Sequence, residues 1–263
     1  MKRILLSTLL AAPMFADYAD IHGLKLYYEI HGDAKNPPLV LLHGGGSTIE
    51  TSFGQVLPML AKTHRVIAFE QQGHGRTTDV AGRPFTFEQS ADDAAELLKQ
   101  LQVEQADFYG YSNGGSIAMQ IAIRHPKLVR RLVVASAMYR RDGLPPQFWE
   151  GMRHAKLSDM PKELKEAYLA VAPNPENLQS FHDKCVARML GFKDWPDALL
   201  RSIEAPTLVM AGDRDVVTVE HVLAMYRLFP KGEVAILPGT DHMQFVTRGE
   251  WQVAMIEAFL GER

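Results

Sequence analysis

The chain has 263 residues, 46% of them apolar and 22% charged, ordinary globular proportions that exclude disordered, collagen-like and coiled-coil classes. Lys and Arg total 28 against 31 Asp and Glu, a formal charge of −3, so no basic excess calls for nucleic acid. A single cysteine, Cys185, excludes an intramolecular disulfide framework and any cysteine-based metal cluster.

In chain order, Lys2 and Arg3 precede an apolar run from Ile4 to Phe15, closed by the small residue Ala16. That pattern reads as an export signal cut after Ala16, and the run is too short to span a bilayer as a helix. The expected location is therefore periplasmic or secreted, with residues 1–16 outside the fold. The other reading is an N-terminal arm retained in a cytoplasmic protein.

Strand signals follow at Leu24–Ile30, Leu39–Leu42, Val66–Phe69, Ala106–Tyr109, Leu132–Ala135, Thr207–Met210 and Val234–Leu237. The inner runs are continuously apolar, as expected of parallel strands covered on both faces. Between them lie helical patterns at Phe87–Leu101, Asn113–His125, Val219–Phe229 and Trp251–Leu260. The alternation predicts a doubly wound α/β sheet, with residues 17–136 and 206–263 as its core. Residues 137–205 break the rhythm. They carry six prolines, helical stretches at Lys162–Val171 and Glu176–Leu190, and many aromatics and methionines, but no clear strand. This segment is expected to be a helical cap over the carboxyl edge of the sheet.

Four short motifs carry chemistry. Gly110-Tyr111-Ser112-Asn113-Gly114-Gly115 matches G-x-S-x-G between a strand and a helix. A strand-to-helix reversal about one residue is strained, and glycines two positions either side of Ser112 give it room. The reward is an exposed hydroxyl at a helix start, where backbone N–H groups face an oxyanion. His43-Gly44-Gly45-Gly46 follows an early strand, and its backbone can approach a ligand closely. Gly45 or Gly46 can supply one N–H of an oxyanion hole and Asn113 the other. Gly212-Asp213-Arg214-Asp215 places a carboxylate at a strand end. Asp215 is favoured as the partner of an imidazole, and Asp213 as a turn-stabilising residue. Gly239-Thr240-Asp241-His242 follows the last strand, and His242 can take and return a proton near neutral pH. His43 and His74 are read as loop-ordering residues.

Ser112, Asp215 and His242 occur in the order nucleophile, acid, base, and their strands deliver to one edge. On these motifs the chain resembles the α/β-hydrolase superfamily, of the type with a helical cap, over roughly Leu24 to Leu260. Glu70-Gln71-Gln72-Gly73-His74-Gly75-Arg76-Thr77 is similar to the family's D-x-x-G-x-G-x-S loop, with Glu70 for Asp and Thr77 for Ser. The resemblance implies a mostly parallel eight-stranded sheet and a carboxylesterase- or lipase-like serine hydrolase acting through an acyl-enzyme. It implies no metal and no organic cofactor. A serine at the elbow argues against haloalkane dehalogenase and epoxide hydrolase chemistry. The expected partner is a small or medium carboxylic ester, with no nucleic acid and no stable membrane span. Met138, Tyr139, Trp149 and Met243 are expected to line an apolar substrate pocket. Lactones, carbon–carbon bonds, N-terminal prolyl peptides and cofactor-free haloperoxidation stay open on the same triad, as does ligand binding without turnover.

Overall fold

The computed structural model describes residues 15–261. Residues 1–14, which carry most of the export-signal reading, lie outside the described residues.

Eight strands form one sheet: β1 (Phe15–Ile21), β2 (Leu24–His31), β3 (Pro38–Leu42), β4 (Arg65–Phe69), β5 (Ala106–Tyr111), β6 (Val129–Ala135), β7 (Thr207–Gly212) and β8 (Gly232–Leu237). Their spatial order is β1-β2-β4-β3-β5-β6-β7-β8. The β1–β2 and β2–β4 pairs are antiparallel, and every pair from β4 to β8 is parallel. The expected eight-stranded, mostly parallel α/β sheet is therefore present. The helices are α1 (Ile49–Phe53), α2 (Leu57–Leu60), α3 (Phe87–Gln100), α4 (Asn113–Arg124), α5 (Pro146–His154), α6 (Lys162–Val171), α7 (Leu178–Leu190), α8 (Asp197–Arg201), α9 (Val219–Leu228), α10 (His242–Phe245) and α11 (Gly249–Gly261).

The continuous apolar runs are explained by burial on both faces. Along β3 and β4, Val40, Leu42, Ile67 and Phe69 pack with α3, α4 and α9. The alternate residues Leu39, Leu41, Val66 and Ala68 pack with α1, α2 and α11. Successive side chains point to opposite faces, so a strand with helices on both sides needs apolar residues at every position.

The strand β1 is absent from the sequence reading. Only Ala19 and Ile21 of its seven residues are buried, so it has no apolar run to mark it. It is held as an edge strand by a hairpin whose two loop residues, His22 and Gly23, both have positive φ (48° and 84°). That geometry matches the right-handed twist of the flanking strands. Phe15 and Ala16 pair with Ile30 and Glu29, so a cut after Ala16 would remove the first two residues of β1.

Between β6 and β7, residues 136–206 hold α5 to α8 and no strand. Their side chains share one cavity with residues at the carboxyl ends of β5, β6 and β8, so this segment covers the edge where open α/β sheets place ligands.

The junction of β5 and α4 sets the position of that edge. Ser112 has φ 54° and ψ −122°, outside the regions that residues with a side chain favour. The turn is tight enough that a Cβ on Gly110 would overlap the Gly114 backbone, and one on Gly114 would overlap the carbonyl of Leu42 at the end of β3. Overpacking of this kind costs about 1–3 kcal/mol. Gly114→Ala is therefore expected to lower stability by about 2 kcal/mol. Gly151→Ala, in α5 where an added Cβ meets nothing within 4 Å, is expected to be neutral or stabilising. Urea unfolding of the two variants against wild type reads the difference.

Candidate active site

Three loops converge at the carboxyl edge. Ser112 ends the β5 turn and opens α4. Asp215 follows β7. His242 is the first residue of α10, whose start is fixed by Asp241, which caps the Gln244 N–H at 2.7 Å. His242 Nε2 lies 3.1 Å from Ser112 Oγ, and Nδ1 lies 2.8 Å from Asp215 Oδ1. The three residues far apart in sequence thus form one hydrogen-bonded chain. Asp213 is not part of it: its Oδ1 accepts the Thr240 N–H at 3.0 Å, which ties the β7 and β8 loops together.

The Asp215 carboxylate is fully buried and fully engaged. Besides His242, Oδ1 accepts the Val217 N–H at 3.0 Å, and Oδ2 accepts the Ser136 hydroxyl at 2.7 Å. Burial pushes its pKa up, but the hydrogen bonds from His242, Ser136 and Val217 outweigh that and hold it below the usual aspartate value. Asp215 is therefore an anion positioned to orient the imidazole and to stabilise its cation. Ser136 escaped the sequence reading. It follows β6 with φ 51°, a positive-φ non-glycine conformation like that of Ser112, and a lone serine after a strand carries no motif.

The glycine loop lies against the elbow. A Cβ on Gly45 would overlap the Asn113 side chain, so the two backbones meet closely. The Asn113 N–H begins α4 and has no carbonyl within the helix to bond. The Gly46 N–H donates to His74 Nε2 at 3.2 Å, which commits it elsewhere and leaves Gly45 as the candidate oxyanion donor of the two glycines. His43 and His74 order these loops. His43 Nδ1 donates to Gly44 O at 2.8 Å, and Nε2 accepts the Gln71 N–H at 3.0 Å. His74 Nδ1 donates to Gln72 O at 2.9 Å. Burial drives the His43 pKa down to about 4 and that of His74 well below the ordinary value. Both rings are thus neutral, as their one-donor, one-acceptor bonding requires.

Beneath this loop, Glu70 stands where the resemblance expects Asp. Its longer side chain packs onto Gly75 and pairs with Arg76, whose Nη1 donates to Oε1 at 2.9 Å. Burial raises its pKa to about 7 against the pull of Arg76.

Above the triad lies a cavity of about 330 Å³. Ser112, Asn113, Gly45, Gly46, Ser136 and His242 form its base. Met138, Leu144, Phe148, Met152, Met160, Leu164, Phe181, Val186, Met189 and Val217 form its walls. Of the four expected contacts, Met138 lines the cavity, and the other three lie elsewhere. Tyr139 is buried against His221 (ring centroids 4.8 Å apart), with its hydroxyl 3.2 Å from Asp197. Trp149 turns away: its Nε1 donates to Arg141 O at 2.8 Å, and the Arg141 guanidinium stacks on its ring. Met243 faces outward from α10, 48% exposed. Apolar side chains in this segment divide between packing and lining, and composition does not distinguish the two. Cys185 also borders the cavity; burial raises its thiol pKa to about 11, so it is a poor thiolate.

The sequence profile described as alpha/beta hydrolase fold matches residues 37–180. The chain belongs to the α/β-hydrolase family. It is 27% identical to a 2-hydroxymuconate semialdehyde hydrolase from a Pseudomonas species over 255 residues, covering 89% of this chain and 90% of that one. It is 28% identical to the human serine hydrolase BPHL, covering 74% and 68%. A solved N-acyl homoserine lactone degrading enzyme superposes with TM-score 0.73 at 26% identity, covering 93% and 100%. Among the described residues no helix is long and apolar enough to cross a membrane.

The buried histidines give the stability a definite pH dependence. His43 and His221 are both lowered to about 4 by burial, against 6.5 when solvated. The unfolded chain therefore binds more protons below pH 6.5, and stability falls as pH drops from about 6.5 to 4. Glu70, raised to about 7, acts in the opposite direction but is one group against three with His74. Urea midpoints at pH 7.5 and 5.0 should show a lower midpoint at pH 5.0. Equal midpoints would mean that these rings are not held neutral.

Proposed function

We propose that the protein is a serine hydrolase that cleaves small to medium carboxylic esters through an acyl-enzyme on Ser112. The observation that carries this reading is the Ser112–His242–Asp215 chain at the base of an apolar cavity. His242 Nε2 takes the Ser112 hydroxyl proton as Oγ attacks the acyl carbon. The carbonyl oxygen becomes an oxyanion facing the Gly45 and Asn113 N–H groups. Collapse breaks the bond to the alcohol oxygen, which leaves with the proton from His242. Water then attacks the acyl-enzyme, giving its proton to His242, and the carboxylic acid departs as Ser112 recovers the proton. Asp215 remains ionised throughout and stabilises the imidazolium.

The walls favour a neutral substrate. Among the described lining residues, the Lys and Arg complement is Lys156 alone, and it is exposed. A muconate-type substrate carries a carboxylate, and no fixed cation lines the base of this cavity. The likeness to a 2-hydroxymuconate semialdehyde hydrolase and to a lactone-degrading enzyme keeps carbon–carbon bonds and lactones as the second reading, since the same nucleophile and oxyanion donors serve any acyl centre.

The cavity lies at the small end of the range for ligand sites. With p-nitrophenyl esters, kcat/KM is expected to be highest for acyl chains of about four to eight carbons and at least about ten-fold lower at sixteen. Ser112→Ala is expected to lose on the order of 10⁵-fold in kcat. Turnover of lactones without esters would move the assignment to the second reading, and wild-type ester turnover by Ser112→Ala would remove the mechanism.

A further inference from the structure

Arg188, on α7, takes no part in the triad and does not line the cavity, yet it is a buried cation, 5% exposed. Among the described residues no carboxylate lies within ion-pair distance of it, and Glu88 acts on it only at longer range. The rings of Phe85 and Phe87 lie 5.2 and 5.6 Å from its guanidinium carbon, and its Nε has no hydrogen-bond partner. Burial pulls its pKa down to about 10, which still leaves it charged at neutral pH. An unpaired buried charge is costly, so an arginine here is not explained by stability.

Of its two side-chain hydrogen bonds among the described residues, one leads toward the glycine loop; in the other, Nη2 donates to Ser90 Oγ on α3 at 3.5 Å. Arg188 Nη1 donates to Gln71 Oε1 at 2.9 Å. The other end of that amide, Gln71 Nε2, donates to His43 O at 2.7 Å, and the Gln71 N–H donates to His43 Nε2 at 3.0 Å. With Nε2 accepting, the His43 proton sits on Nδ1, which donates to Gly44 O at 2.8 Å. That carbonyl belongs to the same planar peptide as the Gly45 N–H. In a trans peptide the two point in opposite directions, so fixing the Gly44 carbonyl fixes the line of the Gly45 N–H. Donation to the carbonyl also polarises the amide and strengthens its N–H as a donor.

We infer that Arg188 is a positioning residue: acting through Gln71 and His43, it aims the Gly44–Gly45 peptide, so that the oxyanion hole is set only when α7 is seated on the sheet edge. This rests on the serine-hydrolase reading above. It makes the helices between β6 and β7 part of transition-state stabilisation as well as walls of the cavity.

The test uses the full chain and its best p-nitrophenyl ester, with a trifluoromethyl ketone of the same acyl length as a mimic of the oxyanion. Arg188→Met should lower kcat about ten-fold or more, with KM within two-fold, and weaken the ketone by a similar factor, since losing an oxyanion donor outright costs about 10²–10³. Arg188→Lys, which keeps a donor, should recover most of the loss. Gln71→Leu should reproduce the defect with Arg188 in place, and the double variant should be no worse than Gln71→Leu alone, because both break one relay. Should Arg188→Met fail to fold, the Lys and Gln71 variants give the same decision. An unchanged kcat, a rise in KM alone, or additive losses would overturn the positioning role. Absence of both turnover and ketone binding in the wild type would instead overturn the hydrolase reading and this inference with it.

Discussion

The close approach of α4 to the ends of β3 and β5 is the constraint from which the rest of the site follows. Ser112 is held at φ 54°, a conformation that costs on the order of 1–3 kcal/mol for a residue with a side chain. That strain persists because the elements around it are fixed by a core of fully buried side chains. Leu42, Phe108, Ile117 and Val134 are 0% exposed. Glycine at 114 lets the helix start touch the Leu42 carbonyl. Leu42 is followed directly by His43 and the glycine loop, so one contact fixes both Ser112 and the glycine loop.

Around this contact lies a layer of buried polar groups in which each residue has a single geometry. His43 and His74 are kept neutral by burial and serve as rigid connectors, one donor and one acceptor each. His242 has the same side chain in a different setting: it is part-exposed, paired with Asp215 and next to the cavity. Burial thus separates the aligning histidines from His242, the candidate for proton transfer. Ser136 holds the Asp215 carboxylate through its hydroxyl, while Gln71 holds the His43 ring through its main-chain N–H and the His43 carbonyl through its side-chain amide.

The sequence made the parallel strands and the three positions that meet at the carboxyl edge readable for physical reasons. Strands buried on both faces must be continuously apolar, and a nucleophile elbow must carry small residues at fixed offsets. The edge strand β1 left no such trace, since it buries only Ala19 and Ile21. Ser136, Gln71 and Arg188 were invisible for another reason. Each meets its hydrogen-bond partners far away in the chain, and no local spacing marks such contacts. The pocket walls were legible only in kind: Met138 reaches the cavity, while Tyr139 and Trp149 spend their apolar surface on packing within residues 136–206. Choosing between Gly45 and Gly46 likewise needed the Gly46–His74 bond.

The central claim is that Ser112 is a nucleophile activated by His242. Reaction of the folded protein with an alkyl fluorophosphonate, followed by peptide mapping, tests it most directly. The account predicts one phosphonyl group on the peptide containing Ser112 and loss of labelling in His242→Ala. A folded wild-type protein whose Ser112 stays unmodified, or one labelled at another residue with concurrent loss of ester turnover, would contradict it.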